Sequence, residues 1–238
     1  MAQVVRRHRK IRRTFYGLSM MTFIYAAAAY LVAPEVWRLL EGEDITVADE
    51  MITRTTAGIP GDPINIGLVG SQEDIVQAFH AAGWSPADAL TLRTAIEIGI
   101  DVVLGRPYDD APVSTLVFEG RPQDLAYEKE IGGSPDQRHH LRLWLTPRLQ
   151  DGRPLWLGAT SKDRGAGISH DTGQITHHID PDIDAERDLV VSDLRTVGMV
   201  DGTSQIQGVG ATTDGRNGGG DRYFTDGMAT IAVLKGQP

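Results

Sequence analysis

The 238-residue sequence has no cysteine. That rules out disulfides and thiol chemistry, and it fits an oxidising compartment. Also missing are the GxSxG, HExxH and GxGxxG signatures and an EF-hand loop. The glycines of GRNGGG, residues 215–220, could cradle a phosphate. No Lys-Ser/Thr pair follows them as a P-loop requires, so a hairpin tip is the simpler reading. No internal repeat stands out. If the chain is an enzyme, it uses none of the widely described motifs.

Acids are absent before Glu35, whereas Arg6, Arg7, Arg9, Lys10, Arg12 and Arg13 crowd the first 13 residues. The rest of the chain therefore sets 17 basic residues against 32 acidic ones, a formal charge of −15. Such a body repels phosphate backbones, which excludes nucleic acid as the expected partner.

Behind the basic tail (1–13) runs TFYGLSMMTFIYAAAAYLVA, residues 14–33, without a charge. As a helix it is roughly 30 Å long, the thickness of bilayer hydrocarbon. The cationic flank predicts a single-pass segment with the N-terminus in the cytoplasm and everything after about residue 34 outside it. Ala27-Ala28-Ala29 resembles a cleavage region, but Pro34 disfavours a cut after Ala33 and the apolar run is long for a signal peptide. The expectation is an uncleaved signal-anchor in the cytoplasmic membrane. The lipid bilayer is its partner, and the C-terminal domain is periplasmic.

Residues 34–63 read as a juxtamembrane linker, with Pro60-Gly61-Asp62-Pro63 as a turn. A globular domain is expected over 64–238. INIGLVG predicts a strand, and Ser71 with Asp74 a capped helix ending at Gly83. Ser85-Pro86 predicts the start of a second helix running to Gly105. From Pro112 the period becomes extended: VSTLVFEG and DLAYEKEI about a turn at 120–123, RHHLRLWL and PLWLGAT about DGRP, then GQITHHI. A helix over 181–197 and the strands QIQGVGA and MATIAVL follow. The fold class is α+β: an N-terminal transmembrane helix, then one domain with a mainly antiparallel sheet and about three helices.

Three segments carry candidate chemistry. In RHHLRLW, alternation puts Arg138, His140 and Arg142 on one strand face and His139 on the other. The arginines could grip a phosphate or carboxylate; the plain alternative is a solvent-facing strand. In THHIDPDID, residues 176–184, His177 and His178 must point to opposite sides. His178 and Asp180 could share a metal, whereas Asp182 and Asp184 read as the acidic first turn of a helix capped by Asp180. In SKDRGAGISHD, the run Ser169-His170-Asp171 cannot act as a triad, because sequence neighbours do not converge. Asp163 and His170 remain as single contributors.

The strings GDPINIGLVGS, GW at 83–84, RPYDDAPVS at 106–114, GRPQDLAYEK, RHHLRLW and HHIDPDIDAERD together resemble the LssY C-terminal domain family, from about Thr53 to Leu234. The resemblance implies an envelope setting and phospholipid or isoprenoid-phosphate metabolism. It supplies no catalytic residues.

Two readings follow. One is a metal-assisted hydrolase or phosphoesterase acting on an anionic envelope or lipid-linked substrate. Its catalytic residues would be His140, Arg142, His178 and Asp163, with Arg138 and Arg142 on the substrate and a divalent metal on His140, His178, Asp180 and His170. The other is a non-catalytic module binding a lipid headgroup, glycan or envelope protein.

Overall fold

The computed structural model describes residues 2–36, 51–87, 115–132, 134–208 and 213–236. The chain opens with a helix, α1 (Ala2–Ala27), which continues through a π-helical turn at Ala28–Val32. Residues Arg12–Val36 are long and apolar enough to cross a membrane and are almost wholly exposed.

The rest is built mainly on antiparallel strands, so the fold is α+β with one membrane-length helix. A small sheet contains β1 (Ile52–Thr55), β2 (Pro60–Pro63), β5 (Leu116–Phe118) and β6 (Arg121–Pro122). The main sheet contains β3 (Ile66–Val69), β4 (Ser85–Pro86), β7 (Leu125–Ile131), β8 (Ser134–Gln150), β9 (Arg153–Ile168), β11 (Val200–Gln207) and β14 (Met228–Leu234). Their order is β11-β14-β3-β9-β8-β7-β4, and β10 (Ile175–Ile179) pairs with the distal half of β9. A separate hairpin joins β12 (Asp214–Arg216) to β13 (Arg222–Phe224). Only β14 and β3 pair in parallel among the described strands.

Alternation along β8 assigns its two faces. Leu141 and Leu143 pack with Ile75, Phe79, Val190 and Leu194 of the helices α2 (Gln72–Ala81) and α3 (Ile183–Thr196). Trp144 faces the other way, with Leu155, Leu157 and Ala159 of β9 and Leu116 and Phe118 of the small sheet. Both faces of the main sheet are thus covered, and β3 is buried along its whole length, as its unbroken apolar run demands.

Local chemistry explains several boundaries. Ser71 and Asp74 form the expected capping box on α2. Residues 52–55 and 60–63 form strands β1 and β2 rather than linker, so the body begins before Ile64. The two prolines of β2 are tolerated because it lies at a sheet edge. Ser85-Pro86 pairs with Glu128 and Tyr127 as strand β4 and does not open a helix; the remainder of the helix expected over 85–105 lies outside the described residues, as do 37–50 and 209–211. The 120–123 turn is also displaced. Glu119-Gly120 turns β5 into β6 within the small sheet, and β7 then enters the main sheet. Helix α3 is capped by Asp182, whose side chain accepts from the Ala185 amide, and not by Asp180. Asp180 instead accepts from the Asp182 amide in a local turn.

The body rests on α1. Tyr25 Oη donates to the Gly173 carbonyl at 2.5 Å, and Gln174 Nε2 donates to the Ala29 carbonyl at 3.0 Å.

Candidate metal centres

Strand β10 carries His177 and His178 on opposite sides, and each histidine presents Nδ1 to an aspartate. His177 Nδ1 lies 2.5 Å from Asp163 Oδ2 on β9, and His140 Nε2 on β8 lies 2.8 Å from the same oxygen. His178 Nδ1 lies 2.7 Å from Asp221 Oδ1, with His170 Nε2 3.7 Å from that oxygen. Two His₂-Asp groups result, His140–Asp163–His177 and His170–His178–Asp221, each with its three donor atoms within 4.8 Å of one another.

The first group is internal. His140 and Asp163 are buried, and the His177 side chain is 44% exposed. Around them lies a network of buried charge. Arg142 reaches Asp62 at 3.4 Å, and Asp62 also accepts from Ser161 Oγ at 3.3 Å and Asn217 Nδ2 at 3.5 Å. Arg138 pairs with Glu128 at 2.7 Å. Burial pushes the Asp62 carboxyl up, only partly offset by Arg142, and pushes the Arg142 guanidinium down. Burial also acts against the Asp163 charge, but His140 and His177 outweigh it and hold that carboxyl below the ordinary range. The bond to Asp163 in turn raises His177. Tyr223, buried near Asp62, is pushed up to about 12 by burial first and then by the Asp62 and Asp214 charges.

The second group is open. It lines a cleft of about 390 Å³ together with Arg164, Gly165, Ala166 and Ile179. The Asp221 carboxylate is fixed by its second oxygen, Oδ2, which accepts from the Ile179 amide at 3.2 Å. That leaves Oδ1 for the histidines. A Cβ on Gly167 would run into the His178 ring, so the glycine makes room for it. Opposite His178, Gly165 takes φ +141, a conformation that side chains disfavour, where the β9–β10 register shifts.

The structure thus divides the residues that the sequence grouped. His140 joins Asp163, but its second histidine is His177 rather than His178. His178 joins His170, and their third donor is Asp221. Asp180 belongs to neither group; it sits 3.7 Å from Lys162. Arg138 and Arg142 are not on an open face: both are buried and face carboxylates of the protein. Asp184 does more than favour a helix dipole, since it accepts from Thr225 Oγ1 at 2.7 Å and from the Asp226 amide.

Several participants escaped the sequence reading, Arg164 of the cleft among them. Asp62 was hidden in a presumed turn, and Asn217 and Asp221 flank the glycines of a presumed hairpin tip. Glu128 was one acid among several on its strand. The available signals were an acid leading into the apolar run of β3 and polar residues bracketing three glycines.

The fold and its two groups define an α+β body carried on one membrane-length helix, with imidazole–carboxylate sites on both sides of a single strand. The family model described as LssY C-terminus matches residues 45–229, most of the chain, and the protein belongs to that family. No curated protein and no solved structure matches it.

Proposed function

We propose that this protein is a membrane-anchored, divalent-metal-dependent hydrolase whose domain lies outside the cytoplasm, in the periplasm. Its substrate class is an anionic, envelope or lipid-linked ester, with phosphoesters the best match. The supporting observation is the open cleft in which His170, His178 and Asp221 converge beside the exposed Arg164. Two imidazoles and a carboxylate suit zinc and neighbouring divalent ions, and three protein donors leave positions for substrate and water. Bound there, the ion would supply Lewis acidity toward the substrate oxygen. Asp221 fixes His178, and Arg164 offers its guanidinium fork to the anionic oxygens.

The orientation is carried by the cationic tail and acid-free start of the chain. The bonds from Tyr25 and Gln174 support a site close to the bilayer, because the loop between β9 and β10 carries His170.

The test is turnover of a phosphomonoester and phosphodiester panel by the full chain in nanodiscs, with Zn²⁺, Mn²⁺ or Mg²⁺ added after chelation. Metal-dependent turnover abolished by His178→Ala is expected. Binding of anionic lipid without turnover under any of the three ions would replace this reading with a non-catalytic headgroup-binding module.

A further inference from the structure

The buried group has a feature that the open cleft lacks. His140 Nδ1 and Glu128 Oε2 are both buried, and neither has a hydrogen-bond partner. They belong to directly opposed residues: Glu128 on β7 pairs in register with His140 on β8, so both side chains stand on the same sheet face. The other oxygen of Glu128 is taken by Arg138. Native interiors seldom leave two such atoms unmatched on paired residues.

The mismatch comes from where the His140 proton sits. Were His140 neutral and donating from Nε2 to Asp163, its Nδ1 would be a bare acceptor, as Glu128 Oε2 across the strand pair also is. If Nε2 instead binds a cation, the proton sits on Nδ1 and can donate to Glu128 once the two side chains close to hydrogen-bond distance. That is the carboxylate–histidine–metal relay, in which the outer carboxylate fixes the tautomer of the ligand.

The rest of the geometry agrees. His140 Nε2 on β8 and His177 Nδ1 on β10 both aim at Asp163 Oδ2 on the strand between them, β9, so donors from three strands meet at one point. Among the described residues, the carboxylates of Asp62, Asp163 and Glu128 and the guanidinia of Arg138 and Arg142 surround it, so the site is built of charged groups of both signs. Ligands of a tetrahedral ion stand roughly 3.3 Å apart. The 2.5 and 2.8 Å separations would therefore open by about half an ångström to one ångström, and half-exposed His177 is free to make that shift.

We infer that His140, Asp163 and His177 form a second divalent-cation site, with Glu128 as the positioning carboxylate behind His140 and zinc as the best-fitting ion. It is a structural site, separate from the cleft, and it pins β10 to β8 and β9. Because His178 is the next residue, filling the buried site also fixes the strand that serves the open one. The inference does not depend on hydrolysis.

The test uses the full chain in detergent, stripped with chelator and then titrated with Zn²⁺. Bound zinc per chain is measured after desalting, along with the zinc-induced rise in melting temperature. His177→Ala removes an exposed ligand and avoids the folding risk of a His140 variant. It is expected to bind one zinc fewer than wild type and to lose most of the melting shift, whereas His170→Ala keeps that shift. Glu128→Gln is expected to weaken zinc affinity by about 10- to 100-fold. A His177→Ala variant with the same zinc content and the same melting shift as wild type would overturn the proposal. If the cleft binds no metal, wild type holds one zinc and His177→Ala none, so the two sites fail separately.

Discussion

His177 and His178 are consecutive, and each meets an aspartate through Nδ1, yet the groups they complete differ in their other histidine: His140 is buried, and His170 is 61% exposed. Asp163, between His177 and His140, is enclosed by Arg142, Asp62 and the body of the sheet. Asp221, beside His178, opens on a cleft where Arg164 points to water. The same residue types therefore carry different energies. Inside, each charge depends on a partner it cannot exchange for water, so the group belongs to the stability of the fold. In the cleft, His170 and Arg164 reach solvent and can meet a ligand, while Asp221, 12% exposed, is held by its hydrogen bonds to His178 and the Ile179 amide.

Substitutions on the two sides can break or sharpen that contrast. The largest effect is expected at Arg142. Arg142→Ala leaves Asp62 buried and uncompensated and should cost about 3–5 kcal/mol in denaturant unfolding. Arg164→Ala, on the open side, should stay within about 0.5 kcal/mol while abolishing anion affinity in the cleft. Equal destabilisation by both would erase the contrast.

Gly167→Ala comes next. Its methyl group displaces the His178 ring, with an expected cost of about 1–3 kcal/mol. It should abolish turnover as fully as His178→Ala does, while the zinc held through His177 remains. Asp221→Asn should cost about 1–3 kcal/mol, because Asp221 is only 12% exposed and bonds both His178 and the Ile179 amide. Its metal affinity should fall at least about tenfold, read by competition with a chromogenic chelator.

A further test lies away from both groups. At Asp74, burial opposes the charge, but bonds from the Ser71 amide and Arg153 outweigh it and hold the carboxyl below its ordinary 3.8. A depressed folded-state pKa contributes stability that is whole above the unfolded value and is lost as pH falls through the folded one. Asp74→Asn should therefore cost about 1 kcal/mol at neutral pH, a typical cap value, and the difference from wild type should shrink below about pH 4. A constant difference across pH 2–7 would show that the charge contributes nothing.

Much of the architecture was legible in advance because it rests on local rules. The capping box at Ser71 and Asp74, the period-2 alternation of RHHLRLW and the unbroken run of β3 each depend on neighbours within a few residues. The site was legible only in part. Alternation showed that His177 and His178 must diverge, but which of them meets His140 depends on how β10 registers on β9. That register is set by a shift beside Gly165. Asp62 and Asp221 were out of reach for a similar reason: each is brought in from a segment whose local grammar reads only as a turn or a hairpin tip.

By itself the sequence determined the cationic tail, the charge-free span behind it, the absence of thiol chemistry and the α+β alternation of the body, all of which are short-range or compositional properties. Tertiary structure alone decided that the arginine face of β8 is buried against carboxylates and that one polar tract supplies two separate His₂-Asp groups. Those outcomes depend on contacts between residues 14 to 155 positions apart, such as His177 with Asp163 and Asn217 with Asp62. No local pattern encodes a partner at that distance; only the packed register of the sheet does.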